Sequence, residues 1–214
     1  SLAIYNSSQD ALAHWNRTVD DVYPELVTGV YSGTAMLNRV VQRKGLEVGL
    51  ICNKGFEHVH SMGRAIQSYL GYALEERIHL NTHRYDEPLV PLSRTRGVTE
   101  RTDVQGEIVV PLRENEVRQA VRELVDAGSK AIVISLLQSH KNATNERRAR
   151  DICLEELDRL GAKIPVFASV DYYPSRKESH RTNTTVLEAY AAAPSRQTLK
   201  KVNDRSTKHG AKFE

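Results

Sequence analysis

The feature that most restricts the fold is a run of seven residues, 131–137, in which every residue except Ser135 is apolar. A run this continuous is typical of a strand buried on both faces of a parallel sheet. Shorter strand-like runs occur at residues 47–52 and 166–170, and segments with helical spacing of apolar residues separate all three. This alternation predicts an α/β fold with a mainly parallel sheet flanked by helices.

A further strand is predicted at residues 26–30, followed by the turn Ser32-Gly33-Thr34 and a helix over residues 36–41. Together with the strand at 47–52, these segments form a crossover unit with parallel strands. The turn would then lie at the carboxyl end of a strand and the amino end of a helix, where free N–H groups favour anions. The three turn residues are therefore candidates for an anion-binding cradle, and the alternative is a helix cap with no further role.

Two groups of polar residues are further candidates, one as charge partners of this cradle and the other as a second cluster. Lys54 and Arg64 follow the strand at 47–52 and are predicted to be charge partners of the bound anion. Arg181 and Thr182 belong to a second cluster between a strand and a helix. That cluster could hold a phosphate or a carboxylate, or could simply link the helix to neighbouring loops. The catalytic residues stay unknown, because the pattern identifies no general base.

Ser135, Ser139 and His140 lie where the run 131–137 ends, at the edge of a parallel sheet that carries function. No Gly-x-Ser-x-Gly pattern surrounds them, so the support for nucleophilic catalysis is weak.

One antiparallel hairpin is predicted within residues 94–110, where residues 98–101 and 107–110 flank a loop with Gly106. A first helix is predicted to begin at Ser8. The expected division is a leading helix in residues 1–24, one α/β domain over residues 25–195, and a basic tail or truncated helix in residues 196–214.

Composition and charge limit the partners of the chain. Of the 214 residues, 40% are hydrophobic and 27% charged, with no apolar stretch near the ~20 residues of a membrane span. Residues 1–10 do not form a secretory signal. Residues 195–214 hold six Lys or Arg against two acidic residues, but no aromatic residue is interleaved before Phe213. We therefore predict neither membrane insertion nor binding to duplex nucleic acid.

The setting of the two cysteines indicates the cellular compartment of the protein. Cys52 and Cys153 have the setting of small buried side chains, and no thiols or histidines show zinc-ligand spacing. We predict no metal site in this chain and a reducing, cytoplasmic location.

Several blocks resemble, in order and spacing, the hydantoinase/oxoprolinase family over about residues 25–195. They are Ser32-Gly33-Thr34 with Asn38 and Arg43-Lys44-Gly45; Val48-Gly49-Leu50-Ile51 with Lys54-Gly55-Phe56 and Gly63-Arg64; Glu87-Pro88-Leu89-Val90-Pro91; Glu100-Arg101; Leu136-Leu137 with Ser139, Asn142 and Glu146-Arg147-Arg148; and Glu178 with Arg181-Thr182 and Tyr190. Residues 67–72, 81–85 and 170–174 are most similar to the acetone and acetophenone carboxylase branch of that family.

The resemblance implies an actin-like, ATP-dependent enzyme subunit that works with other carboxylase or hydantoinase subunits. The intact protein would bind ATP with a divalent metal and a small ketone or cyclic amide. The first hypothesis is a ketone carboxylase of the acetone carboxylase type, in which phosphoryl transfer activates the carbonyl substrate. The alternatives are a cyclic-amide hydrolase of the N-methylhydantoinase or 5-oxoprolinase type, and a non-catalytic docking module suggested by the irregular segment 71–93.

The family begins with an Asp-x-Gly-Gly-Thr phosphate loop, and residues 1–24 do not match it. We therefore expect the chain to be a piece of the N-terminal part of such a subunit. As an isolated piece it would be inactive and would bind no cofactor, because phosphoryl transfer requires donors on every side of the phosphates.

Overall fold

Four parallel strands form the main sheet in a computed structural model that describes residues 2–30, 33–62, 71–79, 81 and 87–212. The strands, in chain order, are β1 (Val48–Asn53), β2 (Thr95–Val98), β3 (Arg101–Thr102), β4 (Ile108–Val110), β5 (Ala131–Ile134) and β6 (Val166–Ala168). In space the main sheet has the order β2-β1-β5-β6, and β3 pairs with β4 as a separate antiparallel hairpin. The predicted α/β fold with a parallel sheet and one hairpin is confirmed.

Helices follow or precede most of the strands. Their bounds are α1 (Leu2–Ala13), α2 (Val19–Val22), α3 (Ala35–Val41), α4 (Val59–Met62), α5 (Leu74–Arg77), α6 (Glu114–Asp126), α7 (Thr144–Arg159), α8 (Ser169–Tyr172), α9 (Glu178–Leu187) and α10 (Ala193–Lys208). Short 3₁₀ turns cover Tyr23–Glu25 and Leu92–Arg94, and a π-helical turn covers Glu188–Ala192.

Contacts divide the chain into two units, one of residues 1–44 and 191–214 and the other of residues 45–190. The division predicted from the sequence, with boundaries after residues 24 and 195, stays a prediction. The second unit holds both sheets, because every strand lies between residues 45 and 190.

The core of the second unit lies between one face of the sheet and the helices α6 and α7. Every side chain of β5 is buried, as its continuous apolar run predicts. Val117, Val121 and Leu124 form the apolar stripe of α6, and Ile152 and Leu157 form that of α7. Side chains of a strand alternate between faces, so Ile51 of β1 joins this core while its neighbours face the other way.

The hairpin prediction is correct in kind but shifted. Residues 95–98 form β2, which pairs in parallel with β1, and the hairpin begins at Arg101. Its loop closes where the Asp103 carboxylate accepts N–H groups of Gln105, Gly106 and Glu107, each at 2.9 Å. Gly106 has φ of 97°, a backbone conformation that glycine adopts without strain.

The prediction of a strand at residues 26–30 is wrong. These residues have no strand pairing within the described chain, and the side chains of Val27 and Val30 are 93% and 90% exposed. A strand is stable when its N–H and carbonyl groups pair and its apolar side chains are buried. A valine-rich run without such a partner therefore stays irregular.

The leading helix also differs from its prediction. α1 begins at Leu2, so Ser8 lies inside the helix rather than at its start. A second helix, α2, begins after Thr18, whose hydroxyl accepts the Asp21 N–H while the Asp21 carboxylate accepts the Thr18 N–H. This reciprocal capping box starts a new helix within the segment for which one helix was predicted.

Candidate functional site

A cleft of about 560 Å³, counting the part open to solvent, lies at the carboxyl ends of β1 and β5. Open α/β sheets bind ligands at this edge. Its apolar lining consists of Leu50, Cys52, Phe56, Val59, Leu136 and Leu137, and its polar lining of Asn53, Ser135, Glu178, Ser179, Thr182 and Asn183. All of these residues belong to the unit of residues 45–190.

One face of α9 supplies a wall of the cleft. Glu178, Ser179, Thr182 and Asn183 lie at spacings of one and four residues along the helix, so their side chains share a face. Glu178 is in the first turn of α9 and supplies the negative charge that a helix N-terminus favours.

Two hydroxyl groups meet inside the cleft. The oxygens Ser135 Oγ and Thr182 Oγ1 are 2.7 Å apart, a hydrogen bond in which either can donate. Each hydroxyl carries one proton. Since one proton is used between the two oxygens, the pair keeps a second O–H donor that has no acceptor within the described residues.

The floor of the cleft at β1 is apolar and includes a thiol. Cys52 is 8% exposed, and burial raises the pKa of its thiol to about 12, with the nearby Glu57 carboxylate adding to the effect. A thiol with this pKa stays protonated at neutral pH and is a poor nucleophile. The Cys52 side chain therefore forms part of the apolar lining of the cleft.

Asn53, the last residue of β1, joins three segments behind the cleft. Its side-chain amide donates to the Glu100 carboxylate at 2.5 Å and to the Glu100 carbonyl at 3.0 Å. Its oxygen accepts the Leu137 N–H at 2.7 Å. The other oxygen of Glu100 accepts the Asn145 amide at 2.7 Å, so the buried carboxylate is well solvated by amide groups.

Glu146 and Arg181 fix the turn after β5. The Glu146 carboxylate accepts the N–H groups of Leu136 and Val170 at 2.7 and 2.8 Å, and the Ser169 hydroxyl at 2.9 Å. Burial raises the pKa of Glu146, and these hydrogen bonds oppose the increase. The carboxylate is therefore an internal acceptor that orders the backbone beside the cleft.

Arg181 is fully buried and directs its guanidinium away from solvent. It donates to Ser169 Oγ at 2.9 Å, and to the carbonyls of Ser175 and Leu136 at 2.7 Å each. Burial lowers the pKa of Arg181, while the Glu146 and Glu178 carboxylates raise it. The guanidinium therefore donates to groups within the fold and does not face a ligand in the cleft.

The backbone N–H groups next to the cleft also donate to groups within the fold. The N–H groups of Ser135, Leu136 and Leu137 donate respectively to the Ile51 carbonyl, the Glu146 carboxylate and the Asn53 side chain. After β1, the Lys54 N–H donates to the Val98 carbonyl at 2.9 Å. Phosphate loops need several such N–H groups directed at the ligand. The strand ends of this cleft consequently do not offer a phosphate cradle.

His140, a candidate from the sequence, follows the same turn. Burial lowers the pKa of His140, and the Arg181 cation lowers it further, whereas Glu178 raises it. Its side chain does not line the cleft, and neither does that of Ser139.

Three of the predicted site residues, Lys54, Arg181 and Thr182, have different surroundings in the structure. Thr182 lines the cleft, and Arg181 lies buried behind it. Lys54 lines a different groove together with Arg96 and Glu116, and its ammonium is 3.9 Å from the Glu116 carboxylate. These three residues lie in the unit of residues 45–190.

The predicted cradle falls partly outside the described residues. Ser32 and Arg64 lie among the residues that are not described, whereas Gly33 and Thr34 belong to the unit of residues 1–44 and 191–214. Thr34 precedes α3 without donating or accepting a capping bond, and its hydroxyl accepts the Asn38 amide at 3.3 Å. No strand of the described chain leads into this turn, so the stated reason for an anion site there is lost; the site residues themselves stay predictions.

Sequence reasoning missed the roles of Asn53, Glu100 and Glu146. Asn53 could have been found, because it directly follows a buried strand at the functional edge. The two glutamates carried no such signal, since their partners are up to 47 residues distant in the chain.

Two kinds of feature are absent from the part of the chain that the structure describes. Residues 2–30, 33–62, 71–79, 81 and 87–212 contain no group of three or more His, Cys, Asp or Glu arranged to hold a metal ion. Among the same residues, no helix is long and apolar enough to cross a membrane.

The fold and the cleft define an α/β protein with a ligand-sized site at the carboxyl edge of a parallel sheet. The sequence profile of the hydantoinase/oxoprolinase N-terminal region matches residues 1–157. The chain belongs to the hydantoinase/oxoprolinase family, as the blocks of the sequence indicated.

Relatives in this family include subunits of two carboxylases. The chain is 62% identical over 214 residues to the acetone carboxylase beta subunit of Xanthobacter autotrophicus, covering all of this chain and 30% of that protein. It is 37% identical over 174 residues to the acetophenone carboxylase gamma subunit of Aromatoleum aromaticum, covering 81% of this chain and 24% of that protein. The chain thus spans about a third or less of the length of these relatives.

Two solved structures have the same fold. The nucleotide-free structure of acetone carboxylase, an enzyme of ATP-dependent acetone carboxylation, matches with a TM-score of 0.92 and 62% identity over 100% of this chain and 30% of that chain. The ATP-dependent caprolactamase from Pseudomonas jessenii matches with a TM-score of 0.81 over 99% of this chain and 29% of that chain. At 23% identity, the second match shows the fold alone.

Proposed function

We propose that this chain is part of a subunit of an ATP-dependent ketone carboxylase of the acetone carboxylase type, in which phosphoryl transfer activates the carbonyl substrate. The observation that carries the proposal is the 62% identity to the acetone carboxylase beta subunit across all 214 residues. The 37% identity to an acetophenone carboxylase subunit supports the same class, because both relatives carry out carboxylation of ketones by name.

The second candidate is an ATP-dependent hydrolase of cyclic amides. It is favoured by a 25% identity over 193 residues to the alpha subunit of caprolactamase from Pseudomonas jessenii. Both candidates activate a carbonyl group, so a similar core serves either reaction. The much lower identity places this candidate second.

ATP and a divalent metal belong to the proposal for the full-length protein. The cleft at β1 and β5 does not fit the phosphates, because its strand-end N–H groups donate within the fold and Glu178 adds a carboxylate. We therefore expect other residues of the full-length protein to bind the phosphates and the metal.

Partners form a further part of the proposal. The acetone, acetophenone and caprolactam enzymes named above are subunits by name. We propose that this protein also assembles with other carboxylase subunits, and that docking accompanies catalysis rather than replacing it. A pull-down of the full-length protein with candidate carboxylase subunits tests this assembly.

The decisive experiment is an ATPase assay of the full-length protein with its partner subunits. ATP hydrolysis that depends on both acetone and bicarbonate, with formation of a carboxylated product, is the expected result. Omitting acetone is the control for ketone-independent hydrolysis, and omitting bicarbonate is the control for bicarbonate-independent hydrolysis. Turnover that instead depends on hydantoin, 5-oxoproline or caprolactam would establish the second candidate and remove the first.

A further inference from the structure

We propose that residues 26–30 form a strand in the full-length protein, paired with a strand from the part of the same subunit that lies outside these 214 residues. This inference rests on the proposed function in one respect, namely that the chain is part of a longer subunit. It does not depend on the substrate of that subunit.

The segment 26–30 has the side chains of a strand that is covered on both faces. Its sequence is Leu-Val-Thr-Gly-Val, in which three of five residues are β-branched. Successive side chains of a strand point to opposite faces, so Val27 and Val30 would make both faces apolar. Apolar residues on both faces are typical of strands inside a sheet that is buried on its two sides.

The groups of this segment have no partners within the described chain. The side chains of Val27 and Val30 are exposed, and the backbone N–H and carbonyl groups of residues 27–30 form no hydrogen bond with another described residue. Exposed apolar side chains and free backbone groups together favour pairing with the edge of another strand. The segment is therefore a docking surface for a strand rather than a solvated loop.

The unit that contains this segment also lacks a core of its own. Among the described residues of 1–44 and 191–214, Val19 is the one aliphatic side chain larger than alanine that is buried. The helix that follows the segment, α3, exposes three apolar side chains, those of Met36, Leu37 and Val41. A unit of this size needs a compact apolar core to be stable by itself. Its exposed apolar surface consequently resembles one half of a core.

The occupant that fits this surface is a strand of the same subunit. A surface that resembles a core cut in half is typical of permanent contacts, whereas partners that also exist apart meet through more polar surfaces. The chain covers 30% of the acetone carboxylase beta subunit at 62% identity, so the matching segment of that relative belongs to a much longer chain. A strand on the same chain is present at high local concentration and needs no second molecule. We therefore assign the surface to the subunit's own chain rather than to a second copy or a partner subunit.

Hydrogen–deuterium exchange of the unaltered full-length subunit, purified without its partner subunits and measured amide by amide, tests the inference. Pairing along one edge of a strand protects every second amide, and pairing along both edges protects all amides of residues 27–30. We expect the protected amides to exchange at least ~100-fold more slowly than in an unstructured peptide of the same sequence, at every protein concentration. The Val104 amide is the internal control, because it lies in the hairpin loop and donates to no described acceptor, so it should exchange quickly.

Two variants give an independent measurement. Val27→Ser and Val30→Ser each replace an apolar side chain by a small polar one, and we expect each to speed up exchange of the protected amides by about tenfold or more. Val104→Ser is the matched control, because the Val104 side chain is 61% exposed, and it should leave the exchange of residues 27–30 unchanged. The exchange of the unaltered protein decides the question even if a variant fails to fold.

Three results would overturn the inference. Fast exchange of residues 27–30 in every sample would mean that the segment stays irregular. Protection that appears only after partner subunits are added would assign the surface to another subunit, and protection that appears only at high protein concentration would assign it to a second copy. A lack of acetone-dependent ATP hydrolysis is a different result, because it removes the proposed carboxylase function and leaves the exchange of these amides unaffected.

Discussion

Glu146 and Arg181 hold the two backbone polar groups of one residue, Leu136, from opposite sides. The Glu146 carboxylate accepts the Leu136 N–H and the Arg181 guanidinium donates to the Leu136 carbonyl, each at 2.7 Å. The Ser169 hydroxyl links the two side chains, since it donates to Glu146 and accepts from Arg181. The turn that carries Ser135 into the cleft is therefore fixed by two buried side chains that share one hydroxyl.

Removing the Glu146 carboxylate should strongly destabilise the protein. Glu146→Ala leaves the N–H groups of Leu136 and Val170 and the Ser169 hydroxyl without their acceptor. We expect the free energy of unfolding to fall by about 3–5 kcal/mol, at about 1–3 kcal/mol for each unpaired group. Urea unfolding followed by circular dichroism measures this change. Glu155→Ala is the control, because the Glu155 side chain is 53% exposed and its ion pairs are worth little. Equal losses in the two variants would contradict the role assigned to Glu146.

Asn53 should tolerate neither truncation nor a charge. Asn53→Ala leaves the Leu137 N–H and the Glu100 carboxylate short of a partner, at a cost of about 1–3 kcal/mol for each unpaired group. Asn53→Asp should cost more, since it puts a second carboxylate in contact with the buried Glu100. Unfolding at pH 7 measures both variants. A stability of Asn53→Asp above that of Asn53→Ala would contradict the cost assigned to a second acidic group beside Glu100.

Local pattern in the sequence was sufficient to predict three of the four strands of the main sheet, β1, β5 and β6. The run 131–137 predicts a central buried strand, and β5 lies between β1 and β6 with every side chain buried. Glycine also marked helix ends correctly, since Gly128 follows α6 with φ of 79° and Gly161 follows α7 with φ of 65°. These strands and helix ends depend on residues close together in the chain, so they can be predicted from the sequence alone.

Features that depend on distant partners could not be predicted in this way. Residues 26–30 have the composition of a strand but no strand beside them. Arg181 and Thr182 were predicted to belong to a cluster that holds a phosphate or a carboxylate, or that links the helix to neighbouring loops. The acceptors of Arg181, which are Ser169, Ser175 and Leu136, come from segments that the fold brings together. Thr182 lines the cleft, and its partner Ser135 lies 47 residues away in the chain.

Both thiols should react slowly in the folded protein. Burial raises the pKa of Cys52 and of Cys153 to about 12, against an ordinary value of 9.0. The thiolate fraction at pH 8 is then about 1000-fold below that of a free cysteine, and reaction with a disulfide reagent slows accordingly. Reaction in 8 M urea, where both thiols are exposed, provides the control. A fast reaction of Cys52 in the native protein would contradict the raised pKa, because it would show that water reaches this thiol and stabilises its thiolate.

Glu156 should make the protein sensitive to acid. Hydrogen bonds from Arg159 and Arg122 lower the pKa of Glu156 to about 2, from an ordinary value of 4.5. A carboxyl group whose pKa is lower in the folded state binds fewer protons there than in the unfolded chain. Its stabilising contribution is therefore complete above about pH 5 and is lost as the pH falls towards 2.

Glu156→Gln should consequently flatten the fall in the free energy of unfolding between about pH 5 and pH 2, and lower it by about 1.5–3 kcal/mol at pH 7. The glutamine accepts hydrogen bonds from the arginines without a charge, so the remaining difference is electrostatic. Urea unfolding at a series of pH values measures the slope. Glu155→Gln, one residue away and about half exposed, is the control and should keep the slope of the unaltered protein. Identical slopes for Glu156→Gln and the unaltered protein would mean that the arginine pair does not lower the pKa of Glu156.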